Sequence, residues 1–124
     1  MLPIDAQITF CSVRDLDQTA EFWEKIVGLT LVVDQGTCRI YRVAGESFLG
    51  FCQRQPGGQS ADIILTLVSP DVDAWYERLV DAGVEVDHPP QTNATYGIYH
   101  FFARDPDGYR VEIQRFLSPD WSPS

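Results

Sequence analysis

The chain carries one pattern twice, and this repeat limits its fold more than any single motif. "VRDLDQTAEFWEKIVGLTLVVD" at 13–34 and "VSPDVDAWYERLVDAGVEVD" at 68–87 share an order of features. Each has a strand end, an acidic residue, an amphipathic helix, a glycine, a short alternating strand and an aspartate. The second copy is one residue shorter between its first aspartate and its glycine. Long arrays of a repeat of about 50 residues make solenoids, but two copies point to one pseudo-symmetric domain.

The segments around each copy fill in the rest. Residues 7–13, "QITFCSV", read as a strand, and 15–28 as a helix with Asp15 as N-cap and Gly28 at its C-terminal end. Leu16, Ala20, Trp23 and Val27 recur at helical spacing as its buried stripe. Strands follow at 29–34, 37–43 and 47–53, joined by short turns. The linker-like "QPGGQSA" at 55–61 separates the copies. A strand at 62–69 opens the second one. A helix at 70–83 follows, with Val72, Trp75, Tyr76 and Leu79 inward, and then strands at about 84–87, 97–104 and 109–116. The order is βαβββ twice. Modules 5–54 and 61–116 with a tail at 118–124 would form one domain of 124 residues. Helices on one face of each sheet and a concave opposite face make it α+β.

Composition narrows the partners. An apolar content of 44% supports a folded core, and a net charge of −9 opposes nucleic acid and anionic membrane surfaces. It is compatible with a neutral or cationic small ligand. Cys11, Cys38 and Cys52 sit in apolar runs without CxxC spacing, so unpaired cysteines in a reducing compartment are expected. The chain has no apolar run of membrane-spanning length and no signal-peptide pattern at its start, which points to the cytoplasm.

The stretch "YGIYHFFARDPDGYRVEI" at 96–113, with "VRDL…FW…VGL" at 13–29 and "DVDA…L…AGV" at 71–84, resembles the vicinal oxygen chelate superfamily. That superfamily includes glyoxalase I, extradiol dioxygenases, and fosfomycin and bleomycin resistance proteins. The resemblance runs from about residue 5 to 116 and implies paired βαβββ modules around a concave site, with homodimerisation. In metal-dependent members it also implies four ligand positions on the first and fourth strand of each module. Here these positions fall on Ile8, Gly50, Ile64 and Glu112. Only Glu112 can bind a metal, with Gln7 one register slip from the first position. Neither a metal nor any other cofactor is therefore expected.

Glu112 keeps two readings. Arg110, Glu112 and Gln114 alternate with apolar residues as on any half-solvated strand. The resemblance instead puts Glu112 on the concave face, to orient a ligand or act as a general base. His100 shares a strand face with Phe102 and Arg104, either as a structural histidine or as an acid–base group. His88, before two prolines, reads as an exposed loop residue. Ile8, Phe10, Ile64 and Thr66 are expected to line the concavity, apolar enough for a small molecule or for a partner subunit. Tyr96, in the polar loop 92–97, borders the opening or is plain surface. The sequence thus leads to a metal-free small-molecule binding protein for an aromatic or cationic compound, of sequestration or resistance type. The alternative is a lyase, isomerase or dioxygenase using Glu112 as general base or metal ligand, and a third possibility is an interaction module with a filled cavity.

Overall fold

The computed structural model describes residues 2–54 and 63–118; the linker at 55–61 and the tail from 119 onward lie outside the described residues. The chain divides into two compact units, residues 1–59 and 60–124.

In the first unit β1 (Gln7–Val13) leads into α1 (Leu16–Ala20), and β2 (Thr30–Asp34), β3 (Cys38–Ala44) and β4 (Ser47–Gln53) complete a sheet of order β1-β4-β3-β2. β1 runs parallel to β4, and the other pairs are antiparallel. Asp15 caps α1 as expected, its Oδ1 accepting from the Asp17 N–H at 2.9 Å. The Gln53 side chain accepts from the Leu16 N–H at 2.9 Å, tying the helix start to the end of β4. The helix then widens over Glu21–Ile26, and the Val27 N–H reaches the Phe22 carbonyl five residues back. This π-type turn brings the consecutive Phe22 and Trp23 both into the core. Trp23 stacks on Phe51 at 5.4 Å between centroids and meets Phe22 edge-on at 5.0 Å, so aromatic packing holds the helix on the sheet.

β3 and β4 also correct the cysteine expectation. Their register sets Cys38 directly opposite Cys52, and the two form a disulfide with Cα atoms 4.1 Å apart. Among the described residues Cys11 is the cysteine outside a disulfide, and it is buried.

The second unit repeats the topology as β5 (Ile64–Val68), α2 (Val72–Asp81), β6 (Gln91–Asn93), β7 (Ile98–Arg104) and β8 (Arg110–Phe116), in the order β5-β8-β7-β6. Val72 and Leu79 of α2 are buried, and Tyr76 meets Phe101 edge-on at 5.5 Å. The sequence places the sixth strand at 84–87, whereas the structure places it at Gln91–Asn93. Residues 84–87 contribute only a single bridge, Val86 to Ala103. β7 thus pairs with β8 along one side, and β6 and this bridge share its other. The turn into β8 depends on Asp105, whose Oδ1 accepts from the N–H groups of Asp107 and Tyr109, both at 2.9 Å. Gly108 supplies the positive φ of 85° that closes it. No helix among the described residues is long and apolar enough to cross a membrane.

Candidate functional site

Period-two alternation sorts the second sheet into two faces. Phe101, Ala103, Val111 and Ile113 are fully buried on the side of α2. On the other face Glu112 lies between Thr66 of β5 and Phe102 of β7, with Gln114 beside it opposite His100.

Glu112 is not a solvated outer residue: only 8% of it is exposed. Its Oε1 accepts from the Thr66 hydroxyl at 3.0 Å, and its Oε2 lies 2.8 Å from Nδ1 of His100, itself buried. A carboxylate accepts, so Nδ1–H is the donor, and in the neutral ring Nε2 keeps its lone pair. Such a carboxylate fixes both the tautomer and the ring orientation of an imidazole. His88, expected as an exposed loop residue, is half-buried, and its ring lies 5.7 Å from that of His100 and 5.9 Å from that of Phe102. Its Nδ1–H donates to the Pro89 carbonyl at 2.8 Å.

A concavity of about 590 Å³ opens over this pair. Of the residues expected at the site, Ile64, Tyr96, His100, Phe102 and Glu112 line it. Thr66 is outside the lining and holds Glu112 through its hydroxyl. Sequence reasoning missed Asn93, Ile98, Gln114 and Phe116 in the lining. Strand alternation could have found three of them: Ile98 follows from His100 and Phe102, and Gln114 and Phe116 follow from Glu112. Asn93 carried no such signal, because the segment read as loop is partly β6.

Ile8, Phe10 and Gly50 belong to the first unit. Phe10 is directly opposite Gly50, and a Cβ at Gly50 would come within 2.4 Å of the Phe10 ring. Ile8 is partly exposed, and Gln7 donates to the Thr9 hydroxyl at 2.6 Å. The positions that hold a divalent ion in metal-dependent relatives therefore do not fit one here. Ile8, Gly50 and Ile64 offer no donor, and both oxygens of Glu112 already accept from protein groups. Among the described residues no group of three or more His, Cys, Asp or Glu is placed to hold a metal.

On the opposite face of β7, the Tyr99 hydroxyl donates to Asp73 of α2. That bond, with some burial, raises the tyrosine's pKa above its ordinary value.

Comparison with known proteins agrees with this architecture. The family model of the Glyoxalase/Bleomycin resistance protein/Dioxygenase superfamily matches residues 7–113. The chain is 26% identical over 117 residues to "Virulence protein STM3117" of Salmonella typhimurium, covering 86% of this chain and 80% of that protein. Among solved structures, a lactoylglutathione lyase from Agrobacterium tumefaciens superposes with TM-score 0.76 at 21% identity, covering 96% of this chain and 98% of its own. A glyoxalase/bleomycin resistance protein/dioxygenase from Nocardioides gives 0.73 at 19% identity, covering 100% and 90%. At such identities these two likenesses concern the fold alone.

Proposed function

Because the chain belongs to the Glyoxalase/Bleomycin resistance protein/Dioxygenase superfamily, we propose that it is a member that binds a small molecule over the second module without a metal at the family position. One observation carries the reading: the Glu112–His100 pair, held by Thr66, lies in a concavity with Ile64, Ile98, Phe102 and Phe116 as apolar walls and Asn93, Tyr96 and Gln114 as further lining. Apolar walls with a few fixed polar groups are the make-up of a ligand site. Ring-shaped ligands suit the aromatic walls, and the imidazole Nε2 offers them an acceptor. Sequestration of the resistance type needs nothing more. Homodimerisation and a cytoplasmic location belong to this proposal. The first draws on the prevalence of two-fold association.

The test is metal analysis of untagged protein followed by a screen of small aromatic compounds. Saturable binding of a compound at one per chain, weakened at least tenfold in His100→Ala, supports the proposal. One equivalent of tightly bound divalent metal, lost in Glu112→Ala, overturns it.

The His100–Glu112 pair favours a second reading. An imidazole oriented by a carboxylate is a common form of general base, so a metal-independent isomerase or lyase is the alternative. In that case Glu112→Gln abolishes turnover of a bound compound and leaves its affinity within a fewfold of wild type.

A further inference from the structure

The face that carries Glu112 also carries two guanidinium groups, and among the described residues only one has a counter-charge. Arg104 and Arg110 are directly paired across β7 and β8, an arrangement in which like charges repel. Arg104 is neutralised by Asp87, Nε to Oδ1 at 3.4 Å and Nη2 to Oδ2 at 3.2 Å. Arg110 has no carboxylate within ion-pair reach among the described residues. Its guanidinium carbon sits 4.1 Å over the centroid of Phe102, and its Nε is buried without an acceptor. Glu112, two residues along the strand, has both oxygens engaged by Thr66 and His100.

Among the described residues the Phe102 ring is the partner of this half-buried cation, and it compensates incompletely: the ring face attracts the charge but accepts none of the five N–H donors. We propose that Arg110 recognises the ligand's anionic group, and that the ligand is a small aromatic carboxylate or a comparable aromatic oxyanion. The inference rests on the reading that the concavity binds a small molecule. Phe102 links the two places, since it lines the concavity and carries the guanidinium. A ring seated against Phe102 and Phe116 can present an oxyanion to Arg110, and a planar guanidinium matches a carboxylate better than an ammonium does. The net charge of −9, which points toward cationic ligands, governs long-range approach. Inside a partly desolvated face the nearest unpaired charge decides.

The experiment is a chemical-shift titration of the full chain with benzoate, benzamide and benzamidine, three probes of like shape and different charge. Expected is binding of benzoate at least tenfold tighter than benzamide, with benzamidine weakest. In Arg110→Gln benzoate falls to the level of benzamide, benzamide is unchanged, and Arg110→Lys recovers part of the preference. Equal affinity of wild type for benzoate and benzamide overturns the inference and leaves the pocket standing, with no variant needed. An unchanged preference in Arg110→Gln overturns it as well. If none of the three shifts resonances around His100 and Phe102, the pocket reading fails and the inference with it.

Discussion

Nδ1 of His100 lies 2.8 Å from Oε2 of Glu112, and both side chains are buried. Replacing Glu112 with alanine leaves the imidazole N–H without its acceptor and the Thr66 hydroxyl without its partner. A buried group stripped of its partner costs about 1–3 kcal/mol, and the urea midpoint of Glu112→Ala falls accordingly. Glu112→Gln keeps an oxygen to accept from Nδ1–H, and its NH2 donates to the Thr66 hydroxyl oxygen, which turns from donor to acceptor, so it costs less than about 1 kcal/mol on the same scale. Equal midpoints for the two variants would remove this account. Nitrogen-15 shifts of His100 in the wild type report the Nδ1–H tautomer, and Glu112→Ala loses that bias.

The repeat was legible because its signals are local: an aspartate ahead of the helix, a helical stripe and a glycine, repeated in order. What escaped depends on partners distant in sequence. Gln91–Asn93 is a short polar edge strand without alternation, so only its pairing with β7 reveals it. The π-type widening that buries both Phe22 and Trp23 has no signature in a 3.6-residue stripe. On the site, alternation grouped Glu112 with Arg110 and Gln114 and the resemblance put it on the concave face, yet its burial depends on His100 and Thr66, which lie on other strands. His88 sits in a proline-rich loop, and nothing local indicates that its ring meets His100.

The Cys38–Cys52 disulfide spans 14 residues across a hairpin. Counted from the turn, where Ala44 is opposite Ser47, the register would set Cys38 opposite Gln53; the shift between Arg42 and Ala44 sets it opposite Cys52 instead, so the sequence alone hid the pairing. Thiol titration of unfolded, unreduced protein is expected to find Cys11 alone, and to find all three cysteines after reduction. Closing a loop of this length stabilises by about 2–4 kcal/mol, so a reductant lowers the urea midpoint. Three reactive thiols before reduction would contradict the pairing.

Two tyrosines make the alkaline limb of stability informative. Burial first, and then the neighbouring Glu24 carboxylate, raise the pKa of Tyr41; the Asp73 hydrogen bond chiefly raises that of Tyr99. A group with its folded pKa raised above the unfolded value of about 10 favours the fold fully below that pH. The contribution disappears as the pH climbs through the raised folded value. Tyrosinate absorbance in the folded protein should therefore end with a late phase, and Tyr41→Phe and Tyr99→Phe should each remove part of it. If neither variant alters that phase, Tyr41 and Tyr99 are not the late-titrating groups.

Gly50 and Phe10 give the sharpest test of the first unit. A Cβ at residue 50 meets Phe10 Cδ1 and Cε1 at 2.4 Å, so Gly50→Ala forces the ring aside. Overpacking of this kind costs about 1–3 kcal/mol, and the lower end applies because Phe10 is 52% exposed and can swing outward. With Phe10→Ala in place the obstruction is gone. What remains is the entropy advantage of alanine over glycine within a strand, about 0.5–1 kcal/mol. The same substitution is therefore expected to destabilise the wild type and to stabilise the Phe10→Ala background. Urea midpoints of the four proteins in this double-mutant cycle measure it, with a coupling of about 1–3 kcal/mol. Additive effects would mean that Phe10 does not cover Gly50. The room for a carboxylate at residue 50, on which a metal at the family position depends, would then have to be reconsidered.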